Sequence, residues 1–264
     1  MSTGILTGFL SSFFGVGGGV LAVPALYWIF PRLPVAVVIG SSLGMVFFNA
    51  LINLYNYYKV DNIPSLKLSS FMGAMMASGI IVSSVFVNYM DARMVKLILA
   101  VMLLGACIKN MVFFNIKKNK VREFIPEKVS LVSTGMIALS AGMVSGITGL
   151  GGGIVIIPML MHISHFPMAK IPVYCNFCMA VGSFAGVISY MLLPVNESFD
   201  IPGVLRYFQA GNVNWGISLI LGMGALISSK WGISLHRKIS AVAVKIIFIV
   251  FLMLVSAKIF MDVL

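Results

Sequence analysis

The chain has 264 residues, of which 60% are hydrophobic and 9% charged, against about a quarter charged in a soluble domain. A water-soluble enzyme or binding module is excluded, and a helical membrane protein is implied. The net charge of +11 does not mark a nucleic-acid surface, because Lys and Arg lie in the connectors between apolar runs, where they act as topology signals and lipid-headgroup contacts.

In chain order, the first apolar stretch, 3–29, is broken by Gly15-Val16-Gly17-Gly18-Gly19 and closed by Phe30-Pro31. No basic region precedes it and it carries this motif, so a cleavable signal peptide is not expected. Three apolar stretches follow at 35–58, 66–89 and 95–114, and then a basic linker, 116–128, with Lys117, Lys118, Lys120 and Arg122. The pattern then restarts. A stretch at 129–161, broken by Gly149-Leu150-Gly151-Gly152-Gly153, precedes apolar runs at 171–193, 213–233 and 241–260. The two glycine motifs lie 134 residues apart, each followed by a proline, Pro24 and Pro158, and the same shift sets Gly8 on Gly142 and Ser11 on Ser145. The sequence therefore predicts a duplicated unit, 1–115 and 129–264.

The basic residues choose between two topologies. If all eight stretches cross the membrane, Lys and Arg divide almost evenly between its sides. If each broken stretch dips in and turns back, one side receives Lys59, Lys67, Lys117, Lys118, Lys120, Arg122, Lys128, Lys170, Lys230, Arg237, Lys238 and Lys245, and the other only Arg32, Arg93, Lys96, Arg206 and Lys258. The positive-inside rule favours the second arrangement, with the linker cytoplasmic and both termini extracytoplasmic. The expected fold is an all-α polytopic membrane protein of two inverted four-segment repeats, the first segment of each a glycine-broken, re-entrant helix hairpin. Arms of about 12 and 11 residues in the first hairpin rise roughly 16 to 18 Å each and reach the midplane.

Bare N–H and C=O groups are costly in hydrocarbon, so broken backbone at membrane depth must be buried in protein or line a wet cavity. Helices beginning just after Gly19 and Gly153 would aim unpaired amides and positive dipole ends into such a cavity, a receptor for an anion. Gly17, Gly18, Gly19, Gly151, Gly152 and Gly153 are therefore candidate substrate contacts, since glycine lets backbone amides approach closely. The competing account of the glycines is close helix packing. Pro24 and Pro158 lie too deep in their helices for the first turn and are candidate hinges or helix breaks.

The stretches 35–58 and 171–193 supply candidate walls. Ser42, Asn49, Asn53 and Asn56 share one helical face, and the duplication sets Ser42 on Asn176 and Asn49 on Ser183. These neutral groups suit oxyanion oxygens, though interhelical hydrogen bonding uses the same residues. Ser11, Ser12, Ser145 and Thr148, just ahead of the glycines, are candidates of the same kind. No acid or base lies centrally in an apolar stretch, which leaves no candidate for proton coupling.

His162-x-x-His165 and Cys175-x-x-Cys178 have the internal spacing of zinc ligands, but the cysteines lie within a spanning stretch and the histidines at its approach. With Cys107, these cysteines give no disulfide framework. Neither a metal nor a cofactor is expected. No Lys-Ser or Lys-Thr follows the glycines, so they are not a phosphate loop. Catalysis would need an activated nucleophile and an orienting base; a membrane-embedded sulfur-handling enzyme using Cys175 and Cys178 is the alternative of another class.

The doubled Gly-x-Gly-Gly-Gly-(x4)-Pro, Gly15 to Pro24 and Gly149 to Pro158, together with Gly40-Ser41-Ser42, resembles the sulfite exporter TauE/SafE family over nearly the whole chain, Gly8 to Lys258. Tyr174-Cys175-Asn176 departs from the family pattern in the second half. The resemblance implies a secondary transporter of small sulfur-containing anions, such as sulfite or organosulfonates, in a prokaryotic cytoplasmic membrane, and adds Ser41 to the candidates. The expected partners are a small anionic substrate and the lipid bilayer, without nucleic acid; the sequence allows a homodimer. Transport would proceed by rocking of the two units about a midplane site, with a transporter or channel for another small anion or solute as the alternative.

Overall fold

The computed structural model describes residues 19–59, 64–112, 130–162, 166, 170–195 and 203–224, with helical positions between 250 and 261. The linker 116–128 and all of 225–249 lie outside the described residues. A chain in lipid can satisfy its backbone only internally, so apolar runs close into helices even where they are rich in β-branched residues. The elements are α1 (Gly19–Ile29), α2 (Val35–Tyr58), α3 (Leu66–Tyr89), α4 (Ala92–Val112), α5 (Leu131–Thr148), α6 (Gly153–His162) and α7 (Ile171–Leu192). A 3-10 turn (Gly203–Phe208), a two-stranded ribbon of β1 (Gln209–Ala210) and β2 (Val213–Asn214), and α8 (Trp215–Gly224) follow. Four helices, α2, α3, α5 and α7, are each long and apolar enough to cross a bilayer. The protein is a helical, multi-pass membrane protein.

α2 is the central helix, every residue from Val37 to Val46 being buried. The outer helices leave apolar faces exposed, Ile81, Val82, Val85 and Phe86 on α3 and Val181, Phe184 and Ile188 on α7, as lipid contact requires. Between helices the contacts are made by small residues. α3 packs along α5 with Phe71 beside Gly135, Met76 beside Gly142 and Ser83 beside Gly146, so the two run parallel. α7 also runs parallel to α3, with Val181 beside Gly73 and the Ser84 and Ser189 hydroxyls 2.5 Å apart. α2 runs antiparallel to α7, from Gly40 beside Tyr190 to Asn53 bonded to Asn176.

The sequence read 129–161 as one broken stretch, and the break falls at Gly149 to Gly152 between α5 and α6. A Cβ at Gly152 would stand 3.2 Å from the Ala141 carbonyl oxygen, so the chain after the break lies against the helix it has just left. α7 then begins with the Tyr174 hydroxyl accepting the Ser65 N–H (2.7 Å), at the end of α3 where Phe71 meets Gly135. The chain from α5 to α7 thus leaves and returns at one end of α3. Its two arms differ: α5, with 18 residues, rises about 27 Å, and α6, with 10, about 15 Å. α1 and α6 begin 134 residues apart, and Pro24 and Pro158 each stand sixth in their helix.

The stretch 213–233 differs from a plain helical run at its start. Val213 and Asn214 pair with Ala210 and Gln209 across a turn in which Gly211 takes φ 55°. Asn214 Oδ1 accepts the Ile217 N–H (2.9 Å), a side-chain cap that begins α8 at Trp215.

Candidate functional site

Gly149 ends α5 in the left-handed region, φ 71°, its N–H donating to Ser145 O (2.7 Å). Gly151 and Gly152 follow at φ 81° and 73°, values that only glycine adopts without steric cost. Two carbonyls of this turn are hydrogen-bonded. Gly149 O accepts the Ser42 hydroxyl (2.9 Å), and Gly152 O accepts the Val155 and Ile156 N–H groups (both 3.0 Å). Leu150 O faces the first residue of α1, where a Cβ on Gly19 would come within 2.6 Å. The amides are not matched in the same way. Leu150 N donates to Thr148 Oγ1 (3.4 Å), but the N–H groups of Gly151, Gly152, Gly153 and Ile154 find no partner among the described residues. The three glycines are buried, and their amides form the positive end of α6.

Four helices enclose the turn. Gly149 touches Val23 of α1 and Ile39 of α2, Gly151 fits between Val46 of α2 and Met179 of α7, and Gly152 meets Met76 of α3. One turn along α2 from Val46 stands Asn49, 8% exposed, whose Nδ2 is buried without a partner among the described residues. The fully buried Ser145 Oγ is the other side-chain atom in that state. Buried polar groups are almost always paired, so both call for a ligand or a water.

Of the remaining candidates, Ser41, Ser42, Thr148, Ser183, Asn53 and Asn176 are hydrogen-bonded to the protein, while Asn56 is exposed. Ser41 Oγ accepts the Asn214 N–H (2.9 Å) and its carbonyl accepts the Ser218 hydroxyl (2.8 Å), tying α2 to the ribbon. Ser42 and Thr148 brace the turn, Thr148 Oγ1 also donating to Val144 O (2.7 Å). Ser183 donates to Met179 O. Asn53 Nδ2 donates to Asn176 Oδ1 (3.0 Å), and Asn176 Nδ2 donates to Pro172 O (2.8 Å), closing the α2–α7 seam one turn beyond Asn49. Among the described candidates, then, the Gly151 to Gly153 amides and the Asn49 Nδ2 are the groups without a protein partner, Gly151 lying against Val46 one turn from Asn49 on α2. Pro24 is buried within α1 and Pro158 half-buried within α6. Gly17, Gly18, Ser11 and Ser12 lie outside the described residues. Val46, Met76 and Met179, the walls of the turn, carry no sequence signal that separates them from ordinary packing residues.

Cys175 and Cys178 are buried, the Cys175 thiol lying 3.6 Å from the Met179 sulfur. Among the described residues no three His, Cys, Asp or Glu side chains cluster as metal ligands; the side chains of His162, His165 and Cys107 lie outside them. A separate cleft at the start of α2 is lined by Pro34, Ala36, Asn88, Met90 and Asn212, with polar and apolar surface in near-equal parts, and the Asn212 amide in it is bonded to Leu193 O and Pro194 O.

The family described as sulfite exporter TauE/SafE matches residues 1–259. The chain belongs to that family. Among the relatives of this TauE/SafE chain, a probable membrane transporter protein of Methanocaldococcus jannaschii is 33% identical over 254 residues, covering 90% of this chain and 85% of the relative. One of Haemophilus influenzae is 31% identical over 192 residues, 71% of this chain and 69% of its own, and one of Bacillus subtilis is 26% identical over 276 residues, 97% and 94%. No solved structure matches the TauE/SafE chain.

Proposed function

We propose that this chain is a secondary transporter of small sulfur-containing oxyanions, of the sulfite or organosulfonate type, with a site near the membrane midplane between the two glycine-rich stretches. The observation that carries the reading is the turn's buried amides, which with the Asn49 Nδ2 lack partners among the described residues, while its Gly149 and Gly152 carbonyls accept hydrogen bonds. A buried unsatisfied donor costs about 1–3 kcal/mol. Several in one place call for an acceptor that arrives and leaves, and an anion at a helix start is the natural one.

We read α5, the turn and α6 as a re-entrant hairpin, supported by Gly152 lying against Ala141 and by α5 and α7 starting at the same end of α3. α1 is then the returning arm of a first hairpin from the opposite face, and its contact with Leu150 supports two inverted repeats that meet at their glycines. Both termini are extracytoplasmic in this arrangement, in the cell membrane. Rocking of the repeats about the shared turn gives alternating access, with Pro24 and Pro158 as flexure points.

Flux of labelled sulfite, an organosulfonate, phosphate and acetate into proteoliposomes tests the reading. Saturable flux of the sulfur anions is expected. Flux of no anion would overturn it, and chemical turnover without flux would favour an enzyme.

A further inference from the structure

We infer that Tyr190 is a positioning residue that holds the glycine turn and closes it off from the cleft at the start of α2. The inference rests on the transport reading above and concerns how the site is reached. α5 ends before it can satisfy its last carbonyls. The Leu150 N–H, which a continuing helix would offer to Gly146 O, donates to Thr148 Oγ1 (3.4 Å). The Tyr190 hydroxyl of α7 takes its place, donating to Gly146 O (2.6 Å) one turn before Gly149. Ser42 holds Gly149 O from α2, so the turn hangs between hydroxyls on two helices.

Tyr190 also fills the layer between cleft and turn. Moving inward along α3, Val87 lines the cleft, Ser83 stands beside Gly146, and the Met76 methyl stands beside Gly152. Val87 and Met76 are about 16 Å apart along the helix. On α2 the same order runs from Ala36 in the cleft, through Gly40 beside Tyr190, to Val46 beside Gly151. At the middle level α7 closes against its neighbours. Tyr190, fully buried, bonds to α5 and packs on α2, and the Ser189 hydroxyl meets that of Ser84 on α3. The Tyr190 carbonyl accepts the Asn212 N–H (3.0 Å), which fastens the ribbon to the same point. The proposed topology sets the cleft at the extracytoplasmic face. An anion passing from it to the amides of Gly151 to Gly153 crosses the Tyr190 layer, and the bond from Tyr190 to Gly146 opens to let it by.

The test is thiol labelling of Val46→Cys, a position below Tyr190, by a membrane-impermeant methanethiosulfonate applied to one face of oriented membrane vesicles, with labelling of the chain lacking this cysteine subtracted. Tyr190→Phe keeps the ring and removes the hydroxyl. It is expected to speed labelling from the extracytoplasmic face about 3- to 20-fold, the population shift that loss of one interhelical bond allows, and not to speed it from the cytoplasmic face. An unchanged extracytoplasmic rate, or an equal rise from both faces as general loosening would give, would overturn the inference. Labelling needs no substrate, so the two readings fail separately. A one-sided rise in a protein without anion flux would overturn the transport reading, and flux with unchanged labelling would overturn the role of Tyr190 alone. Where Tyr190→Phe fails to fold, Ser189→Ala releases the same layer from α3 and is expected to give the same one-sided rise; its absence would overturn the inference.

Discussion

At Gly152 the backbone sits at φ 73°, and a Cβ would come within 2.6 Å of the Met76 methyl. Gly152→Val therefore combines a left-handed β-branched residue with a clash, at about 1–3 kcal/mol for the backbone alone. It is expected to abolish sulfur-anion flux in proteoliposomes while membrane insertion persists; flux retained in that variant would contradict the role given to the turn. Ser42→Ala removes the hydroxyl that holds Gly149 O. Interhelical hydrogen bonds in membranes average about 0.6 kcal/mol. Only a small loss of thermal stability is thus expected, with a larger fall in flux because the turn loses its brace. The glycines were legible from sequence because a doubled motif with a proline at fixed spacing has few explanations. The sorting of Ser41, Ser42, Asn49, Asn53, Asn176 and Ser183 was not. A neutral polar side chain on a membrane helix looks the same whether it binds a neighbour or a ligand, and only the inventory of partners separates Asn49 from the rest.

Among the elements, α1 and α6 are short helices with proline at the same place, where the ring removes the N–H that would reach back to Val20 or Ile154. Pro158→Ala restores that bond. It is expected to raise thermal stability by about 1 kcal/mol or more, up to about 3, and to slow transport if α6 flexes there, both readable from a melting curve and a flux assay on one preparation. The seam between α2 and α7 carries the Asn53–Asn176 bond. A double-mutant cycle with Asn53→Leu and Asn176→Leu is expected to give a coupling near 0.6 kcal/mol and no more than about 1.7. Hydropathy located the long helices, since continuous apolar length in lipid leaves the backbone no other choice. It missed the ribbon before α8, because Val213 continues the apolar run and only the Asn214 cap sets where the helix begins.

For the whole molecule, the topology proposed from the distribution of Lys and Arg has the linker 116–128 in the cytoplasm and the carboxyl terminus outside. A reporter fused after Leu264 is expected to read extracytoplasmic and one inserted in 116–128 cytoplasmic; a cytoplasmic signal from both would break the inverted-repeat arrangement. That expectation comes from sequence alone, because charge placement is counted over the entire chain. Sequence could not carry how the halves engage, since that depends on which backbone atoms touch. The contact between Gly19 and Leu150 bears on the order of biosynthesis. The start of α1 leaves the ribosome long before Gly149 and Leu150, so this contact closes only after the helices between them have been made.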